Sequence, residues 1–303
     1  VNTAPALVGY TAAVGFVAPR VLLRSSWPHR APALAAAVWH AVAVSFSIAV
    51  ALSAASLVMP NDHLHAGLAG LLHTCGLGAG ALRPDPDIAD RLAVGIPAVL
   101  GVALGVSFAF HLVWARRVRT QHRAAVDLVG RHSTRLCATV LPYDVPAVYC
   151  LPGRRPRVVI SEAAVRRLTP QQLDAVLDHE QAHIAGRHHL VLAAAEAFHA
   201  VFRWLPLARH VREQTALLVE MIADDRALRR HSRDVLATAM YEMAAARAPK
   251  GALAAGGRTV LIRLKRVLGP PTAPHPALWG SMAVLAITVP LLPLLLACPF
   301  GLG

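Results

Sequence analysis

Four long apolar runs constrain this chain more than any other feature. They occupy residues 4–23, 33–59, 92–115 and 277–299, and each is long enough to cross a hydrocarbon layer of about 30 Å as a helix. Only 16% of the residues are charged, against about 25% in a typical soluble domain. Between the third and fourth runs lies a long charged stretch that reads as a folded domain. The sequence therefore predicts a mainly α, polytopic membrane protein. Residues 1–115 form a three-helix transmembrane region, residues 116–276 a soluble domain, and residues 277–303 a fourth transmembrane helix with a short tail. The first run has no basic n-region; its first arginine, Arg20, stands at the far end, which favours a retained helix over a cleaved signal.

Charge sets the expected orientation. Arg20, Arg24 and Arg30 give the first connection a charge of +3, whereas Asp62, Asp85, Asp87 and Asp90 against Arg83 and Arg91 leave the second at −2. Residues 116–275 carry 25 Lys and Arg against 13 Asp and Glu. Because Lys and Arg gather on the cytoplasmic side of membrane spans, the folded domain is expected in the cytoplasm of a multi-pass cell-membrane protein, with both termini outside. The same bias accounts for a net charge of +13 without nucleic acid, for which no helix-turn-helix or aromatic–basic platform is present. The expected partners are the lipid bilayer and a protein substrate. Cys75, Cys137, Cys150 and Cys298 show no paired spacing, and Cys137 and Cys150 are expected as free thiols on the reducing side.

Within the domain, residues 116–137 read as a helix continuing from the third span. The runs 147–151 and 157–161 flank Pro152-Gly-Arg-Arg-Pro156 and read as a β-hairpin, the only convincing β structure in the chain. Thr169-Pro170-Gln171-Gln172 has the form of a helix start, with Thr as N-cap, Pro in the first turn and Gln at the capping-box position. Helical spacing of Leu173, Val176 and Leu177 carries that helix into His179. Further helices are expected at 190–208, interrupted at Pro206, and at 211–230, 234–249 and 257–268, the last basic and amphipathic.

The helix starting at Thr169 carries His179-Glu180-Gln181-Ala182-His183. Residues four apart share a helical face, so His179 and His183 can offer two imidazoles to one ion while Glu180 stands beside them as a candidate general base. With 16 His in the chain, random order predicts about 0.02 occurrences of His-Glu-x-x-His. One Zn2+ per chain fits this donor pair, given a third ligand and one position open to water. Glu220 is the candidate: it lies inside the apolar run Leu217-Leu-Val-Glu-Met-Ile222, where an unpaired carboxylate would be costly. Asp224, one turn later, is placed to orient a ligating histidine. The bland alternative is that Glu220 and Asp224 pair with arginines. His188, His189, His199 and His210 read as surface or interface residues, His63, His65, His73 and Cys75 as a weak outer-loop cluster, and His231 or a nearby Arg as a weak oxyanion candidate.

Helical His-Glu-x-x-His, one intervening helix, then Glu-x-x-x-Asp resembles the gluzincin pattern of the HtpX-like and CaaX-prenyl endopeptidases. Leu151-Pro-Gly, Arg157-Val-Val-Ile-Ser-Glu162, Leu173-Asp-Ala-Val-Leu-Asp-His179 and Arg203-Trp-Leu-Pro-Leu207 resemble more closely the BlaR/MecR-type antirepressor peptidases, whose layout of three spans, protease domain and fourth span is also similar. The resemblance implies His179, His183 and Glu220 as zinc ligands, Glu180 as base, Asp224 behind them, and the strand Arg157, Val158, Val159, Ile160 and Ser161 as the edge that holds an extended substrate. It implies a membrane zinc endopeptidase cleaving a cytoplasmic or membrane-proximal protein, with a BlaI-like transcriptional repressor as one candidate. An HtpX-like quality-control protease and a non-catalytic signalling or scaffold protein with a structural zinc site are the alternatives. Two departures stand out: His188 occupies a position where many such peptidases have Asp, and only a few residues follow position 299, so a C-terminal sensor domain and β-lactam sensing are not carried over.

Overall fold

A computed structural model describes residues 4–58, 88–153, 155–246, 256–270 and 276–297. The outer-loop residues His63, His65, His73 and Cys75 lie outside this set, as does Cys298. Among the described residues, four helical segments are long and apolar enough to cross a membrane. Helix α1 (Ala4–Arg24) contains a π-helical turn at Ala13–Val17. Helix α2 spans Pro32–Val58 and α3 spans Ile88–Val129. The fourth segment, Trp279–Ala297, is built from α10 (Pro276–Thr288), a 3-10 turn at Val289–Leu291 and α11 (Leu292–Ala297).

Polar groups in these apolar helices are matched rather than left open. Pro293 has no N–H for the carbonyl of Val289 four residues earlier, and the Ser45 hydroxyl of α2 donates to that carbonyl instead at 2.8 Å. That carbonyl also accepts from Leu292 N–H in the 3-10 turn, and the Ser45 bond joins the last apolar segment to the second.

Helix α3 runs on past its apolar part to Val129 and stops there. The sequence expectation of helix through 137 fails at this point: Arg131–Ser133 is strand β1, and β2 (Ala138–Leu141) follows after a turn in which Cys137 adopts a positive φ of 47°. Strands β3 (Val148–Leu151) and β4 (Arg157–Ser161) pair antiparallel in the expected hairpin, with Val148 opposite Ile160 and Leu151 opposite Arg157. The hairpin is therefore half of a four-stranded mixed sheet in the order β1-β2-β4-β3, in which β2 runs parallel to β4. This overturns the assignment of Arg157–Ser161 as the substrate edge. Strand β4 is hydrogen-bonded on both sides, and Val159 and Ile160 are fully buried, so it has no free backbone edge to offer. Among the described residues, the open edges are β1 and β3.

Among the described residues, six helices follow before the last apolar segment: α4 (Glu162–Arg167), α5 (Pro170–Ala185), α6 (His188–Val201), α7 (Pro206–Ala227), α8 (Arg233–Ala245) and α9 (Gly256–Leu268). Helix α5 lies on the sheet, where Leu173, Val176 and Leu177 pack with Val148, Val158, Ile160 and Ala239. Helices α6 and α7 form a hairpin that packs against α2 and α3. Phe198, Phe202, Leu207, Val211 and Leu218 share one core with Trp39, Val42 and Phe46 of α2. Phe46 meets Phe198 and Phe202 edge-to-face, with ring centroids 6.2 and 5.3 Å apart, an arrangement aromatic quadrupoles favour. The run at 190–208 is thus not one helix interrupted at Pro206: α6 ends at Val201, a turn spans 202–205, and Pro206 starts α7.

Candidate metal centre

The centre forms between α5 and α7. The expected capping box opens α5: the Thr169 hydroxyl accepts from Gln172 N at 3.3 Å, and the Gln172 side chain accepts from Thr169 N at 3.0 Å. With its start fixed there and its apolar stripe pressed on the sheet, α5 turns His179 and His183 toward α7.

On α7, Glu220 and Asp224 stand one turn apart, facing those histidines. His179 Nε2 lies 3.5 Å from Glu220 Oε2, and His183 Nε2 lies 3.4 Å from Glu220 Oε1. The two Nε2 atoms are 3.3 Å apart. Ligands about 2.0–2.1 Å from a tetrahedral zinc stand about 3.3 Å from one another. The three side chains therefore already have the spacing that one small cation requires, and they are grouped as a potential metal site among the described residues. Three protein ligands leave a fourth position for water or substrate.

Asp224 is fully buried and its Oδ1 is 3.1 Å from His179 Nδ1. The approach is off the line of a ring N–H bond, and Nδ1 has no well-aligned partner. Asp224 is instead gripped by Arg263 of α9, whose Nε donates to Oδ2 at 2.8 Å and whose Nη2 donates to Oδ1 at 2.6 Å. The same guanidinium donates through Nη1 to Glu220 Oε2 at 2.6 Å. Placement in a possible metal site and arginine pairing, opposed as alternatives in the sequence, coincide: Arg263 compensates two buried carboxylates while Glu220 Oε1 stays turned to His183. Sequence reasoning missed Arg263. The only trace was the basic amphipathic pattern of 257–268, which does not single out one guanidinium.

The electrostatics follow from this packing. Burial works against charge on His179, but Asp224 and Glu220 overcome it and hold its pKa up at about 9. At His183 burial prevails over the attraction of Glu220 and takes the pKa down to about 4. Burial would raise Glu220 and Asp224, yet His179 and the charge of Arg263 bring Glu220 down to about 2, and Arg263, with the nearby His179, brings Asp224 down to about 2. Positive charge is therefore favoured at His179, which lies between two carboxylates.

Glu180 has the opposite balance. Burial raises its pKa, helped by Glu220, while His179 and the thiol and backbone of Cys150 partly offset the rise. Cys150 belongs to the edge strand β3, which packs against α5. Burial and the nearby Glu180 push the Cys150 thiol up to about 12, so it is a neutral neighbour. A carboxylate raised toward neutrality and lodged next to a metal-ligand set suits proton transfer.

One other histidine differs from expectation. His188 is buried, with Nδ1 2.9 Å from His183 Nδ1, and so is neither a surface nor an interface residue. His231 bonds Asp178 Oδ2 at 2.9 Å, and that partner lies outside the His179–His183–Glu220 cluster. His210 lies 3.4 Å from Glu213, and His189 and His199 each bury an Nδ1 without a hydrogen bond.

What the fold and centre define is a mainly helical protein with apolar, membrane-length helices and a His-His-Glu cluster that could hold a metal ion. Residues 114–247 match the sequence profile of peptidase family M48, which supports a gluzincin-type membrane metallopeptidase. No curated protein and no solved structure matches the chain. The matched segment contains His179, Glu180, His183, Glu220 and Asp224, and ends before Arg263.

Proposed function

We propose that this chain is a membrane-anchored zinc endopeptidase that cleaves a protein presented on the cytoplasmic side or at the membrane surface. The observation that carries the reading is the convergence of His179, His183 and Glu220 at mutual distances of 3.3–3.5 Å, next to a carboxylate whose pKa burial has raised. Zinc held by these side chains would polarise the scissile carbonyl and acidify the attacking water. Glu180 takes the proton from that water and returns it to the departing amine. Arg263 keeps Glu220 and Asp224 ionised, so the ligand carboxylate is available at neutral pH. Strand β3 offers an open backbone edge beside Glu180, along which an extended substrate can add as a further strand.

The charge asymmetry of the sequence supports the cytoplasmic placement. Resemblance to antirepressor peptidases supports a transcriptional repressor of the BlaI type as substrate. Glu180 itself weighs against a purely structural zinc site, which needs no base and closes its fourth position.

Replacing Glu180→Gln should abolish proteolysis and leave zinc bound, whereas His183→Ala should lose both. Metal content of the purified full chain, read beside cleavage in vesicles, tests this. Equal cleavage by wild type and Glu180→Gln would end the enzyme reading.

A further inference from the structure

We infer that His188 is a positioning residue for the candidate metal centre: its imidazole accepts the Nδ1 proton of His183 and thereby fixes the ring and tautomer in which His183 presents Nε2 to a cation. This rests on the proposed metal site and adds a residue to it.

The geometry leaves His183 little choice. Its Nε2 faces His179 Nε2 at 3.3 Å and Glu220 Oε1 at 3.4 Å. Its Nδ1 points away from them and meets His188 Nδ1 at 2.9 Å. The rings are nearly perpendicular, at 89°, with centroids 4.8 Å apart. Only one proton fits between two ring nitrogens at that distance. A neutral imidazole that binds a cation through Nε2 must carry its proton on Nδ1, so His183 donates and His188 accepts. His188 then bears its own proton on Nε2.

The chain is shaped around this contact. Arg187 adopts a left-handed conformation, φ 48° and ψ 37°, which reverses the path between α5 and α6 and turns His188 back onto α5. Such a conformation is unfavourable for a residue with a side chain. Gly186 leaves the space that the returning ring fills: a Cβ there would stand 2.4 Å from His188 Nε2 and 2.7 Å from its Cδ2. Because φ at Gly186 is −77°, the need for glycine is steric rather than conformational. His188 itself is only 5% exposed. Two unusual residues in succession are thus explained by one hydrogen bond.

Ligating histidines commonly give their second ring proton to a carboxylate or carbonyl, which also raises the ligand's basicity. A neutral imidazole supplies the same orientation with less electron donation and adds no negative charge beside Glu220 and Asp224.

The test is zinc affinity of the detergent-solubilised full chain, measured by chelator competition, together with the visible absorption of the Co2+-loaded protein. His188→Leu fills the volume without accepting a proton and should weaken zinc by about 10–100-fold, the usual cost of losing such a partner, and should alter the Co2+ bands. His188→Asp restores an acceptor and should bind zinc at least as tightly as wild type. Gly186→Ala leaves every ligand and His188 in place but displaces the ring, and should move affinity in the same direction as His188→Leu. If His188→Leu keeps wild-type affinity and Co2+ bands, or if His188→Asp binds no better than His188→Leu, the inference is overturned while the metal site stands. If the wild type takes up neither ion, both this inference and the proposed function fall.

Discussion

At the residue scale, Arg263 decides whether the centre is affordable. Asp224 is completely buried, and without a cation its charge would be costly to keep. One guanidinium makes three hydrogen bonds of 2.6–2.8 Å to Asp224 and Glu220, using the planar fork that Lys lacks. Arg263→Ala should destabilise the metal-free chain by about 3–5 kcal/mol, because removing one partner strands a buried charge. Arg263→Lys should recover only part of that. Thermal unfolding in detergent, without metal, measures both, and a loss under about 1 kcal/mol for the alanine variant would show that the carboxylates do not depend on it. The cluster of His179, His183 and Glu220 was legible in the sequence, since the two histidines share a helical face and Glu220 sits in an apolar run where a lone acid needs a reason. Arg263 and His188 were not legible. Their meaning comes from contacts across 39 and 5 positions respectively, and no local period or propensity marks either.

At the scale of elements, helices were read well and strands poorly. Continuous apolar runs and the Thr169–Gln172 box announced α1, α2, α5 and the last apolar segment. The box should contribute measurably: Thr169→Ala is expected to cost about 1 kcal/mol, seen as a lowered midpoint in denaturant with cleavage otherwise intact. A larger effect would mean that Thr169 does more than cap. Strands β1 and β2 escaped notice for a physical reason. Arg131-His132-Ser133 has neither β-branched residues nor alternation, and β2 is held by parallel pairing to β4, a partner about 20 residues away. That same pairing moved the free edge from β4 to β3. A hairpin can be read from its turn, but which of its strands is covered depends on a neighbour the turn does not encode.

At the scale of the whole molecule, the positive-inside bias predicts that Cys137, which is free and exposed, faces the cytoplasm. In a variant with Cys75, Cys150 and Cys298 replaced by Ser, a membrane-impermeant maleimide should label Cys137 in inverted vesicles and not in intact cells; the opposite pattern would reverse the orientation. The layout also couples the centre to the apolar helices. Helix α7 carries Val211, buried against Trp39 and Phe46 of α2, and Glu220 nine residues later, about 13 Å along a rigid rod at 1.5 Å per residue. No loop separates the greasy anchor from the carboxylate. Excising residues 116–276 would strip α7 of its seat, expose Phe198, Phe202 and Val211 to water, and leave Glu220 on a helix with nothing to set its tilt. The candidate centre is thus not a detachable unit: one continuous rod ties it to the helices that are long enough to cross a membrane.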